Sequence, residues 1–260
     1  MEKQNRKLFF LVALPRSGNT LFTSIINQNP KIACTANSLT LEIMKNLYLL
    51  KKTDVFQLFP DYKSLNNILD NVYNLYYKDW PQQIIIDRGP VTLTGNPGNF
   101  ELMKQHFKYE FKCIVLLRDL IEVLASYMKW YTENPDSFVN KLGTTDEEKL
   151  SSLMTEDGAI VKEIKAIKNA FKYPNMCHFI KYDDMVADPE KTFIELYKFL
   201  GEPYYPHQFQ DLKQININDI EYDDTVLGKN MHKIRTVVKK QINNYVVPES
   251  IRIKYEHIKF

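Results

Sequence analysis

The sequence predicts an α/β fold, a three-layer sandwich with a central parallel sheet and helices on both faces. Three observations carry this. Residues 8–14 form an apolar run, LFFLVAL, that breaks into the polar loop Pro15-Arg16-Ser17-Gly18-Asn19-Thr20 and then resumes with helical spacing. Apolar, strand-like runs recur at 84–86, 111–117 and 178–182. Stretches with helical spacing separate them, and strands that alternate with helices build parallel sheets.

The elements follow in order. Residues 8–14 are apolar on both faces, the pattern of a buried parallel strand. Residues 19–27 read as the first helix, with Leu21, Ile25 and Ile26 on its apolar face, ended by Asn29-Pro30. Residues 38–77 are rich in Leu and Tyr at helical spacing and break at Phe59-Pro60-Asp61. The strand Ile84-Ile85-Ile86 stops at Asp87-Arg88-Gly89, and 94–99, TGNPGN, has the composition of a loop. Residues 111–117 read as a buried strand ending at Arg118-Asp119. A helix over about 120–131 follows, with Ile121, Leu124, Ala125 and Met128 on one face. The polar stretch 132–158 reads as an excursion or lid, 159–171 as a helix and 178–182 as a fourth strand. Asp188 caps a helix with Pro189 in its first turn, which runs to Leu200 and closes at Gly201. Residues 202–231 read as irregular, before a basic tail from His232. Residues 1–260 are expected to form a single domain. Insertions at 37–83 and 132–158 lie at the loop edge of the sheet, where open α/β folds place their ligands.

Composition sets bounds. With 34 basic and 32 acidic residues the net charge is +2, so bulk charge points to no nucleic-acid or membrane partner, and any anion site must be local. Cys34, Cys113 and Cys177 are widely spaced and odd in number, which predicts buried reduced thiols, a reducing compartment and a cytoplasmic location. Lys3, Arg6 and Lys7 before the apolar run imitate a signal peptide, but Pro-Arg-Ser-Gly follows without a small-x-small cleavage site. No stretch reaches the roughly 18 apolar residues of a membrane span.

The chemistry gathers at three places. A strand, a tight loop and a helix N-terminus aim backbone N–H groups and a positive dipole end at one point, as in a phosphate cradle. A Walker A loop reads G-x-x-x-x-G-K-[ST]; here its first glycine is Ala13, its lysine is Asn19, and Arg16 supplies the cation from inside the loop. Second, Arg118 ends a strand and Ser126 lies eight residues on, two turns along the next helix, so that together they can grip a further phosphate from two sides. Third, Asp87-Arg88 ends the 84–86 strand, where Arg88 reaches the same crevice. Asp87 occupies the place of a Walker B acid, which would serve Mg²⁺. On residues alone, an ATP-using kinase, a non-catalytic nucleotide-binding module and plain structural pairing all stay open.

In this order the three sites resemble the sulfotransferases that use 3′-phosphoadenosine 5′-phosphosulfate (PAPS). The stretch LPRSGNTLFTSIINQNP looks like that family's 5′-phosphosulfate loop, and IVLLRDLIEVLASY like its 3′-phosphate motif, with Arg118 and Ser126 at the family's offset. DRGPVTL is similar to the K/R-x-P-x-x-L segment of tyrosylprotein sulfotransferases, which places Arg88 at their catalytic lysine. FIKYDDMVADPEKTFIELYKFLG resembles the family's next strand–helix pair. Met231-His232-Lys233-Ile234-Arg235 resembles the C-terminal segment that folds over the nucleotide in bacterial members.

The resemblance implies transfer of a sulfuryl group from PAPS to a hydroxyl or amine of a small-molecule, carbohydrate or peptide acceptor, with 3′,5′-ADP as product. Arg16 and Arg88 would clamp the sulfuryl oxygens. The backbone of Ser17, Gly18, Asn19 and Thr20 would hold the 5′-phosphate, with the Thr20 hydroxyl as a further donor. Arg118 and Ser126, covered by His232, Lys233 and Arg235, would bind the rest of the nucleotide. No metal is implied. Asn37 stands where tyrosylprotein enzymes carry a glutamate base, which counts against protein tyrosine as acceptor. Glu42, Asp87, His106 and His232 are the substitutes, none of them assigned. Trp130 replaces a further nucleotide-contacting arginine and is expected to pack in the core or stack on adenine.

Overall fold

The computed structural model describes residues 6–35, 37–89, 96–107, 110–156, 158–221, 234, 236–240 and 243–260. Five strands, β1 (Lys7–Ala13), β2 (Ile32–Cys34), β3 (Ile84–Asp87), β4 (Cys113–Leu117) and β5 (Cys177–Lys181), form one sheet in the order β2-β3-β1-β4-β5. All four pairings are parallel, and Phe10 of central β1 lies opposite Asp87 on one side and Cys113 on the other. The edge strand β2 was not among the four strands expected. Three residues, IAC, are too short to show a period, and the sheet edge rather than local propensity makes them extended.

Alternation along β1 divides the interior in two. Leu8, Phe10 and Val12 point into the larger core, and Phe9, Leu11 and Ala13 into the smaller. Over the smaller core lie α1 (Asn19–Ile26), α10 (Tyr182–Ala187) and α11 (Pro189–Leu200). Asp188 caps α11 by accepting from the Lys191 N–H, and Gly201 ends it in the left-handed conformation at φ +67°, both as the sequence predicts.

The larger core carries the rest. Residues 38–77 fold as α2 (Thr40–Leu50), α3 (Asp54–Leu58), α4 (Tyr62–Leu69) and α5 (Val72–Tyr76). The stretch 94–99 is not wholly loop. The Asn96 side chain accepts from the Gly98 N–H at 3.0 Å and Pro97 opens α6 (Pro97–His106), so 97–99 are a first helical turn; Thr94 and Gly95 lie outside the described residues. After α7 (Leu120–Glu133), the polar stretch 132–158 contains a 3₁₀ turn (Phe138–Leu142) and α8 (Asp146–Leu153), started by a capping box between Thr145 and Glu148. Val139, Leu150 and Leu153 are buried, so the stretch contributes to the core. The helix α9 (Ala159–Ala170) follows, and α12 (Glu249–Tyr255) lies near the C-terminus.

Candidate active site

The loop after β1 is held open by its own side chains. Ser17 is fully buried and donates from Oγ to the Leu14 carbonyl at 2.6 Å, and its N–H goes to the same oxygen at 3.2 Å. Asn19, at the Walker lysine position, donates from Nδ2 to that carbonyl as well, at 3.1 Å. The Ser17 hydroxyl, the Ser17 N–H and the Asn19 amide N–H are thus spent on the loop itself, while Asn19 Oδ1 is buried with no hydrogen-bond partner among the described residues. Gly18 is the N-cap of α1 at φ +97° and supplies no side-chain cap, so the first N–H groups of α1 keep their donor capacity for an anion.

Arg16 joins the first site to the second. Its backbone is left-handed at φ +67°, a conformation that costs a non-glycine residue about 1 kcal/mol. Two residues hold it there. Arg118 donates from Nη1 to the Arg16 carbonyl at 2.7 Å, and Arg16 donates from Nε to Ser126 Oγ at 3.1 Å. Arg118 is itself fixed by Glu122, at 3.1 Å, and lies over the Tyr182 ring at 4.2 Å. Asp119 caps α7 by accepting from the Ile121 and Glu122 N–H groups, which orients the turn that carries Arg118 and Ser126.

At the third site, the Arg88 backbone is clamped between its N–H donating to Thr35 Oγ1 at 2.8 Å and its carbonyl accepting from the Ser38 N–H at 2.8 Å. Its Nη1 is buried with no partner among the described residues. Asp87 is buried, and its Oδ2 accepts from Tyr77 at 2.5 Å, Thr40 at 2.7 Å and Ser38 at 2.9 Å. Burial outweighs these three donors and raises its pKa. Three hydroxyls on one oxygen make Asp87 an anchor between β3 and α2, poorly available as a base or a magnesium ligand.

The other base candidates are scattered. Glu42 is half-exposed on α2 and faces Lys45 at 3.9 Å. His106 is buried on α6 and pairs through Nδ1 with Asp70 at 2.9 Å. His232, Lys233 and Arg235 lie outside the described residues, as do residues 90–93 of the DRGPVTL segment. Trp130 is buried in the larger core beside Phe138. Asn37 is exposed and lines a cleft of about 150 Å³ with Thr20, Ser24, Ser38, Trp80, Ile215 and Ile234.

Sequence reading missed one residue. Glu163 on α9 is 5% exposed, and burial pushes its pKa up to about 9. The signal was present: Glu163 stands three residues from Ile160 and four from Ile167, in register with the apolar face of an otherwise amphipathic helix.

The described C-terminal residues return to this edge. Lys240 pairs with Glu122 at 3.2 Å and Asp183 at 2.8 Å, and Lys259 with Asp119 at 3.0 Å. Arg118, Lys240, Arg252 and Lys259 thereby line one open groove.

The parallel sheet, with a strand–loop–helix turn after its central strand and arginines at the ends of both neighbouring strands, is an α/β fold that gathers its polar residues at the carboxyl edge of the sheet. Residues 9–206 match the profile of the sulfotransferase family, and the chain belongs to that family. It is similar to the sulfotransferase domain from the Synechococcus PCC 7002 olefin synthase, with 14% identity and a TM-score of 0.57 over 99% of this chain and 96% of that one. It is also similar to the sulfotransferase domain from the curacin biosynthetic pathway, with 18% identity and a TM-score of 0.54 over 98% and 92%. At these identities the likeness is one of fold. No curated protein matches the sequence. The chain is an enzyme that transfers sulfuryl groups. Among the described residues no helix is long and apolar enough to cross a membrane.

Proposed function

We propose that the sulfuryl donor is PAPS, that the acceptor is a hydroxyl or amine of a small molecule, carbohydrate or peptide, and that the enzyme works in the cytoplasm. The observation that supports the donor is the double hold on Arg16. The residue that would bind a 3′-phosphate, Arg118, also supports the carbonyl of the loop arginine, and Ser126 meets its guanidinium. A nucleotide with phosphates at both ends of its ribose suits such a joined pair of sites. The α1 N-terminus would take the 5′-phosphate, with Thr20 beside it, and Arg118 and Ser126 the 3′-phosphate. Arg16 and Arg88 would face the group in transfer. Sulfuryl transfer spreads charge over equatorial oxygens and onto the leaving group, so oriented cations supply most of the catalysis.

ATP is the poorer fit, because Asn19 is turned into the loop and leaves no cation at the Walker lysine position. Calorimetric titration with 3′,5′-ADP and with Mg·ATP separates the two. Micromolar 3′,5′-ADP binding with no response to Mg·ATP is expected, and the reverse order of affinity overturns the reading. Mass spectrometry of an acceptor library incubated with PAPS then identifies the acceptor by its added sulfuryl mass.

A further inference from the structure

Glu163 is an acid and Arg88 a guanidinium within electrostatic reach of each other, and their orphaned atoms make no hydrogen bond with each other. Glu163 comes from α9, which packs against the central strand β1. Its Oε2 is buried with no hydrogen-bond partner among the described residues, and the same holds for Arg88 Nη1. A buried carboxyl oxygen left unpaired costs stability, as does an unpaired guanidinium donor. A direct pair between these two atoms would remove both costs, and neither atom makes one.

The electrostatics tie Glu163 to Arg88 and to the helix that carries Ser126. Arg88 pulls the Glu163 pKa down against the larger effect of burial. The buried Tyr127 hydroxyl feels Glu163 in one direction and Arg16 in the other. Glu163 thus lies within electrostatic reach of Arg88, one of the two arginines that would clamp the sulfuryl oxygens. Few other charges compete. On α8, packed against α9, the buried Lys149 ammonium lies over the Tyr131 ring at 4.3 Å. Among the described residues β1 carries one charged side chain, Lys7 at its first position, paired with Glu202.

We infer that Glu163 is the general base of the transfer and that the acceptor's nucleophilic atom comes within reach of both the unpartnered Glu163 oxygen and Arg88. This rests on the PAPS reading. The acceptor oxygen or nitrogen bonds to sulfur as the bond from sulfur to the 5′-phosphate oxygen breaks. The electron pair leaves with 3′,5′-ADP, and the acceptor's proton passes to the Glu163 carboxylate and then to water. A carboxylate with a raised pKa is a stronger base than a solvated one, and positioned bases contribute about 10²–10⁴ in rate. Arg88 would hold the sulfuryl group on the other side of the same atom.

The test compares wild type, Glu163→Gln and Glu163→Asp. Formation of 3′,5′-ADP from PAPS is followed with water alone and with 2-naphthol, hexanol and hexylamine as probes, and 3′,5′-ADP binding is measured by calorimetry. Glu163→Gln is expected to keep wild-type affinity for 3′,5′-ADP and lose about 10²–10⁴ of turnover. Glu163→Asp should recover part of it. The wild-type rate should climb with pH toward about 9, and the Gln variant should lose that climb. Should the Gln variant not fold, the Asp variant carries the test, with a slower rate but the same kind of pH climb. Turnover within threefold of wild type in the Gln variant, with an unchanged pH profile, overturns the assignment. Failure of the wild type itself to bind 3′,5′-ADP would sink the PAPS reading instead.

Discussion

Arg118 donates from Nη1 to the backbone carbonyl of Arg16 across 2.7 Å, so the arginine at the end of β4 supports the loop at the end of β1. A side chain in that position does two jobs. On the proposed reading it offers charge to a 3′-phosphate, and it holds Arg16 in its left-handed backbone. Arg118→Ala is expected to weaken 3′,5′-ADP binding by about 10- to 100-fold, the range of one or two charge-assisted hydrogen bonds. It should weaken 5′-AMP binding less, because that ligand lacks the 3′-phosphate. Calorimetry with both nucleotides reads the difference, and equal losses for the two would leave Arg118 as a loop support alone.

Arg88 presents a different case. Its backbone is fixed at both ends by Thr35 and Ser38, so truncating its side chain leaves the segment in place. An interaction made only with the charge that develops during transfer changes turnover more than ground-state binding. Arg88→Ala should therefore reduce turnover by about 10²–10³, the effect of losing one oriented donor, while 3′,5′-ADP affinity stays within a few fold. Steady-state kinetics beside product titration measures both. Wild-type turnover in this variant removes Arg88 from the transition state.

Gly18 tests the cradle itself. At φ +97° any side chain is strained, and a Cβ there would come within 2.8 Å of the Tyr182 ring and 3.1 Å of Met185. Gly18→Ala should cost about 1–3 kcal/mol of stability and most of the nucleotide affinity, because the ring of Tyr182 also carries Arg118. Urea unfolding gives the first quantity and thermal shift with added 3′,5′-ADP the second.

These positions divide by how they could be read. Arg16, Gly18, Arg118 and Arg88 stand in or beside local patterns, a strand running into a polar turn, and the sequence alone places them at the strand ends. Asn19 and Ser17 stand in the same pattern, yet their side chains turn back onto Leu14, a choice set by loop geometry that no spacing encodes. The triple hold of Ser38, Thr40 and Tyr77 on Asp87 joins β3 to α2 and to the end of α5, so only the assembled fold shows that this acid is occupied. Strand β2 is extended because the sheet offers it a partner in Ile84-Ile85-Ile86. Glu163 announces itself only as a charge on the wrong face of a helix, and its neighbours Arg88 and Tyr127 come from distant parts of the chain.

His207 ties the fold's stability to pH on the acid side. It sits in the segment after α11, within about 5–6 Å of the rings of Phe193, Tyr197 and Tyr205, and is 8% exposed. Burial pushes its pKa down to about 4, against 6.5 for an unperturbed histidine. The unfolded chain therefore binds the extra proton first, between pH 6.5 and 4. The stability contributed by neutral His207 is complete above 6.5 and is lost as pH falls through that window. A difference of this size corresponds to about 3 kcal/mol at most. Glu163 works in the opposite sense, because its raised pKa makes the folded state the proton binder between about 4.5 and 9. The sum of the two masks either one, so the informative quantity is a difference between proteins. Relative to wild type, His207→Phe should gain about 2–3 kcal/mol on going from pH 7.5 to pH 4.5, measured by urea unfolding at both pH values. A parallel fall of the two proteins over that range would show that the ring is not protonated on unfolding.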